Sequence, residues 1–153
     1  MGGCARQVVC ATGATGARRL DSYKQIETLV LNDYLSERPS ASRDLAQFIC
    51  KMNHLKNLTL KGYHHDDFYS TSSSMASTAK IETLVLKEDL SKRPSTSRDC
   101  AQFICKMNHL KNLTLDSYYH DDFYSTSSSM ASTTKVIYSK KSLYVKGQYL
   151  MKP

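Results

Sequence analysis

Residues 26–80, IETLVLNDYLSERPSASRDLAQFICKMNHLKNLTLKGYHHDDFYSTSSSMASTAK, return almost unchanged as residues 81–135. The period is 55, and without gaps the copies differ at ten positions: Asn32/Lys87, Asp33/Glu88, Tyr34/Asp89, Glu37/Lys92, Ala41/Thr96, Leu45/Cys100, Lys61/Asp116, Gly62/Ser117, His64/Tyr119 and Ala79/Thr134. Self-similarity at a fixed period marks an array of units that bury their apolar faces by stacking on one another. A shorter pattern runs inside each copy. Apolar-x-x-Leu-x-Leu occurs at Ile26/Leu29/Leu31, Leu55/Leu58/Leu60, Ile81/Leu84/Leu86 and Leu110/Leu113/Leu115, and its first Leu recurs at intervals of 29, 26 and 29 residues. Alternate residues of a strand share a face, so Leu-x-Leu sends both leucines into one core, with the preceding apolar residue filling the turn that enters the strand.

The first connector predicts a helix. Ser42 follows Pro39 as an N-cap, and Leu45, Phe48, Ile49 and Met52 stand at the i, i+3, i+4, i+7 spacing of one buried stripe, repeated by Cys100, Phe103, Ile104 and Met107. The second connector predicts a weaker helix, capped by Asp66 or Asp67 and carrying Phe68, Met75 and Ala79, because Ser70–Ser74 and Ser77–Thr78 are poor helix formers. Strand, helix, strand, helix with parallel strands is α/β. It implies a short solenoid of about four repeats in two 55-residue units, its strands lining a concave face.

The repeat length near 28, the alternation of two repeat types and the Cys-x-Met-x-x-Leu-x-x-Leu-x-Leu runs at Cys50–Leu60 and Cys105–Leu115 resemble ribonuclease-inhibitor-type leucine-rich repeats. Over about residues 20–135 the block is similar to the repeat arrays of NACHT and leucine-rich-repeat (NOD-like) innate immune receptors. That resemblance implies a ligand-sensing, non-catalytic module acting in the cytoplasm. Two departures stand out. Tyr34, Tyr63, Asp89 and Tyr118 occupy the position of the family's usual Asn, which implies that its side-chain ladder is absent or rebuilt. No Gly-x-x-x-x-Gly-Lys-Ser/Thr motif is present, so a nucleotide-binding part is not on this chain and no cofactor is expected.

The formal charge of the 153 residues is +7, which on a single basic face would suggest a nucleic-acid or anionic-membrane binder. Counted by segment, residues 1–25 carry +3, each copy is neutral, and residues 136–153 carry +4. The excess belongs to the two ends, so nucleic acid is not an expected partner of the array, although basic tails remain an alternative route to anionic surfaces. No apolar run approaches the roughly 20 residues needed to cross a bilayer. Gly2, Gly3, Gly13 and Gly16 break up the apolar stretch that a secretory signal requires, which favours an intracellular protein over an extracellular repeat receptor. Residues 1–19 are expected to be disordered or outside the repeats. Leu20-Asp21-Ser22-Tyr23 echoes Leu115-Asp116-Ser117-Tyr118, Val136–Lys141 lacks Leu-x-Leu, and Leu143, Val145 and Tyr149 alternate in the manner of a terminal strand or cap within 136–153. The array therefore reads as incomplete, with uncapped ends through which copies could self-associate.

The chemistry-bearing residues read mostly as structural. Cys50 and Cys105 occupy equivalent positions, Cys100 replaces Leu45 on the buried stripe, and Cys4 and Cys10 lie in the N-terminal segment; buried reduced cysteines behave as small apolar residues. Cys50/His54 and Cys105/His109 make Cys-x3-His pairs, but zinc needs about four convergent ligands, and no metal site is assigned. His64-His65-Asp66-Asp67 loses a histidine in the second copy at Tyr119 and reads as a solvated loop with a capping Asp. No Ser stands in a nucleophile elbow, so no catalytic residue is assigned, and Ser70–Ser74 and Ser125–Ser129 read as solvated filler. The Asn-x-Thr sequons at Asn57 and Asn112 read as coincidental for an intracellular chain. The candidate binding surface is the concave face, for a protein or other macromolecular ligand. It comprises the residues flanking the paired leucines: Thr28, Val30, Asn32, Asn57, Thr59, Lys61, Thr83, Val85, Lys87, Asn112, Thr114 and Asp116. Its middle row is short and uncharged, and copy differences at Asn32/Lys87, Asp33/Glu88 and Lys61/Asp116 beside it are compatible with altered ligand preference.

Overall fold

A computed structural model describes residues 7–9, 26–32, 39–62, 66–130 and 133–138. Strands β1 (Gln7–Val9), β2 (Thr28–Asn32), β3 (Asn57–Lys61), β4 (Thr83–Lys87), β5 (Asn112–Leu115) and β6 (Lys135–Tyr138) alternate from β2 onward with helices α1 (Pro39–Lys51), α2 (Asp66–Met75), α3 (Pro94–Cys105) and α4 (Asp121–Ser127). All strand pairs are parallel and their order in the sheet is the order of the chain. The short strands follow from the pattern: each Leu-x-Leu is bracketed by Thr, Val or Asn, which fit a half-buried pleated surface.

The register aligns equivalent positions. Leu29, Leu58, Leu84, Leu113 and Val136 form one row across β2–β6, and Leu31, Leu60, Leu86, Leu115 and Tyr138 another. The leucines of both rows are at most 6% exposed, and each buried side chain of this size contributes roughly 1.5 to 3 kcal/mol. Helix α1 packs on α2, α2 on α3 and α3 on α4, which places all four on the same face of the sheet, over the leucine rows. Strand entry is secured by forked acceptors: the Glu27 carbonyl accepts from the N–H groups of Lys56 and Asn57, and the Glu82 carbonyl from those of Lys111 and Asn112.

Several expectations are corrected. Helix α3 begins at Pro94 and α1 at the equivalent Pro39, so Ser42 is not an N-cap but a buried residue inside the helix. Proline suits the first turn, where its missing N–H has no helical acceptor and its φ is already set. The second copy shows the use of this serine: the Ser97 hydroxyl donates to the Leu90 carbonyl at 3.0 Å and accepts from the His120 N–H at 3.3 Å. The cap of α4 is His120, whose Nδ1 accepts from the Asp122 N–H at 3.2 Å, rather than an aspartate.

The serine-rich connector is helical through Met75 and continues as a 3-10 turn, Ala76–Thr78, with Ser72 and Ser73 buried. It is not solvated filler, because Phe68, Tyr69, Ala76 and Ala79 anchor it in the core, while Ser74, Thr78, Ser125 and Ser128 satisfy their hydroxyls on backbone carbonyls three residues earlier.

At the ends, Gln7–Val9 form β1 within the segment expected to be disordered or outside the repeats, and Val8 stands in register with Leu29. The last described strand is Lys135–Tyr138, with Val136 and Tyr138 replacing the leucines that this stretch lacks. Leu20–Tyr23, Leu143, Val145 and Tyr149, together with Cys4, Cys10, His64 and His65, lie outside the described residues.

Candidate functional site

The face of the sheet opposite the helices carries the residues between and beside the leucines. Thr28, Val30, Thr59, Lys61, Thr83, Val85, Asn112 and Thr114 are half-buried on β2–β5, Asn57 and Lys87 are exposed, and Asp116 follows β5 directly. Asn32 ends β2 in register with Lys61. The middle row, Val30, Thr59, Val85, Thr114 and Ile137, runs across five strands; Ile137, at 46% exposed, is the large apolar side chain most open to solvent among the described residues. A lane of short side chains with a β-branched apolar component allows a partner backbone close approach.

Charges flank the lane in an ordered way. On the strand-entry side, Lys56 Nζ lies 3.5 Å from Glu27 Oε1 and Lys111 Nζ 2.8 Å from Glu82 Oε2, the same pair once per copy. Lys111, as hydrogen-bond donor and nearby cation, holds the Glu82 carboxyl below its ordinary range. Asn57 Nδ2 donates to Thr28 Oγ1 at 3.2 Å. On the exit side, Lys87 Nζ meets Asp116 Oδ2 at 3.3 Å. Two copy differences, Asn32/Lys87 and Lys61/Asp116, thus combine into an ion pair present in the second copy alone, an intramolecular use for substitutions that in the sequence were compatible with ligand preference. Helices are tied likewise: Arg98 Nη2 contacts Asp122 Oδ2 at 2.6 Å, and Arg43 Nε lies 3.9 Å from Asp67 Oδ2.

A second polar cluster, missed by the pattern analysis, lies inside. Glu88 is 1% exposed and sits against Tyr69, Cys100 and Tyr119, all buried. Glu88, Cys100 and Tyr119 are three of the ten positions at which the copies differ, so the second copy's divergence converges on one interior spot. Burial first, and the Glu88 charge second, push the Tyr69 hydroxyl and the Cys100 thiol well above their ordinary values. Nearby, the Tyr119 hydroxyl donates to the Leu86 carbonyl at 3.3 Å, Leu90 N–H donates to the Tyr118 carbonyl at 2.9 Å, and Asp89 Oδ1 accepts from the Ser91 N–H and hydroxyl. These contacts serve the turn backbone around Asp89 and Tyr118. The signal in the sequence that could have marked the inward turn at Leu90 is that its leucine is kept at the equivalent position of the first copy.

Cys50 and Cys100 are buried and Cys105 is half-buried, all three as free thiols. Burial pushes the Cys50 thiol up to about 11. Of these three, iodoacetamide at pH 8 is therefore expected to label Cys105 first, with Cys50 and Cys100 labelled at the rate of unfolding. A folded-state value raised from 9.0 stabilises the fold below pH 9, and that contribution is lost as pH climbs from about 9 to about 11. Mass-spectrometric mapping across that range checks both statements; Cys50 labelling as fast as Cys105 at pH 8 would contradict the packing.

No group of three or more His, Cys, Asp or Glu side chains converges as a metal site among the described residues, and none of their helices is long and apolar enough to cross a membrane. The geometry defines an α/β protein in which a parallel sheet alternates with helices and leaves one sheet face open. Comparisons with models of known protein families, with curated proteins and with solved structures find no match.

Proposed function

We propose that the chain is a short leucine-rich-repeat solenoid that works as a non-catalytic interaction module, holding a protein or other macromolecular ligand on the open face of its sheet. In this reading it is a ligand-sensing array of the NOD-like innate immune receptor type, acting in the cytoplasm. The observation that carries the reading is the lane of short side chains, from Val30 through Thr59 and Val85 to Thr114, left uncovered while the opposite face is buried under four helices. The in-register Leu-x-Leu rows support the repeat assignment.

A photo-crosslinking side chain placed at Thr59 or Thr114 is expected to capture the partner, whereas the same group at Gln47 or Gln102, exposed on α1 and α3, is not. Val85→Arg, which fills the lane without touching the core, should remove that capture and leave the far-UV spectrum unchanged. Capture from Gln102 instead would move the binding surface to the helices.

A second reading, an extracellular repeat protein, draws on the exposure of Asn57 within Asn57-Leu58-Thr59. A glycan there would cover the lane. The intact mass of the chain from a secreting cell separates the two readings.

A further inference from the structure

Across the exit ends of β3 and β4, Lys61 and Lys87 stand side by side in register, followed in the same row by Asp116 just past β5. Neighbouring strands lie about 4.8 Å apart, and like charges facing one another across them repel. Asp116 neutralises Lys87 from the β5 side, whereas Lys61 has no ion pair among the described residues. From β2 the row therefore reads Asn32, cation, cation, anion, and the cation on β3 is the one without an ion pair among the described residues. Two residues back on the same face, Thr59 and Val85 put short side chains beside the lysines. The remaining cation of this face without an ion pair among the described residues, Lys135, stands at the opposite end of the strands on β6 and does not share the spot.

We infer that Lys61, with Lys87 beside it, is a specificity anchor for an acidic side chain of a protein partner whose extended segment crosses the lane over Thr59 and Val85. The inference rests on the open face being the binding face. An Asp or Glu seated between the two lysines would extend the alternation that Asp116 begins and relieve the repulsion between β3 and β4. Small apolar neighbours of that residue would lie on Thr59 and Val85. A row of phosphates is a poorer fit, because the Asp116 carboxylate stands in the same row and the Glu27 and Glu82 carboxylates flank the strand-entry side.

The test is fluorescence anisotropy of the full chain with a labelled synthetic peptide alternating Glu and Val, a Lys-Val peptide of the same length as control, and single-stranded DNA as the competing polyanion. The expected result is binding of the Glu-Val peptide alone, weakened about fivefold to tenfold by Lys61→Glu and strengthened by Asp116→Ala, which releases Lys87. Val85→Trp, bulky and uncharged, abolishes binding of anything on the face. Loss with Val85→Trp but none with Lys61→Glu overturns the anchor and leaves the face; insensitivity to both overturns the anchor and the face together. No binding of the Glu-Val peptide by the unmodified chain, or DNA binding tighter than the peptide and lost with Lys61→Glu, overturns the acidic-peptide partner. Unchanged thermal melting of Lys61→Glu shows that the effect is on binding.

Discussion

Leu58→Asp is expected to abolish cooperative folding of the repeats on both sides of β3. Leu58 is 1% exposed and stands in register between Leu29 and Leu84, so its side chain is enclosed by two neighbouring strands and the helices above them. Truncating a buried leucine alone costs about 2 to 5 kcal/mol, and an uncompensated carboxylate in the same place adds several more. Against a total stability of about 5 to 15 kcal/mol, that is enough to unfold the chain. In a stacked array the loss spreads, because each unit depends on the neighbour that covers it. Loss of the far-UV helical signal and of a cooperative urea transition is the expected readout. A variant that melts like the parent would mean that position 58 faces solvent and that the strand register is shifted by one residue, since a one-residue slip exchanges the two faces of a strand.

Phe103→Ala is expected to cost about 3 to 5 kcal/mol, and Phe48→Ala at the equivalent position in the first copy distinctly less. Phe103 is fully buried, with its ring centroid 6.2 Å from that of Tyr69, whereas Phe48 is half-buried against the edge of the core. The difference comes from the neighbours: α3 is packed between α2 and α4, while α1 has α2 on one side only among the described helices. Denaturant midpoints of the two variants decide the matter, since the parent is a shared reference. Equal losses would mean that α1 is as enclosed as α3 and that something covers its outer side.

The same pair shows where sequence reading stops. The helical stripe that contains Phe48 and Phe103 was legible because a buried face must recur at 3.6-residue spacing, and the Leu-x-Leu rows were legible because strand faces alternate at a period of two. Those periods are properties of a single segment. Whether a given stripe is covered depends on which helices flank it, and two nearly identical 55-residue copies answer that differently. Ser42 was misread for a related reason: serine is a common cap, and only the position of Pro94 together with the inward turn at Leu90 puts its counterpart Ser97 inside the helix with two hydrogen bonds to make. The serine-rich connector was undervalued because propensity speaks against it, while burial of Phe68 and Tyr69 overrides propensity.

The candidate face divides in the same manner. Which residues share the side of the sheet opposite the leucines was readable from alternation alone, and the structure places the described ones there. That Lys87 is engaged by Asp116 while Lys61 is not required the cross-strand register, because the two partners are 29 residues apart and belong to different strands. Convergence of Glu88, Cys100 and Tyr119 likewise joins residues that look like scattered differences between copies.

By itself, then, the sequence determined the unit, its strands and helices, and which side of each is apolar, since these follow from local periodicity and a repeat that must stack to bury its core. Only the tertiary structure decided which of two equivalent residues is enclosed, which charges cancel and which remain. Enclosure and ion pairing depend on the neighbours a residue meets in space, and the two copies, though matched at 45 of 55 positions, do not have the same neighbours.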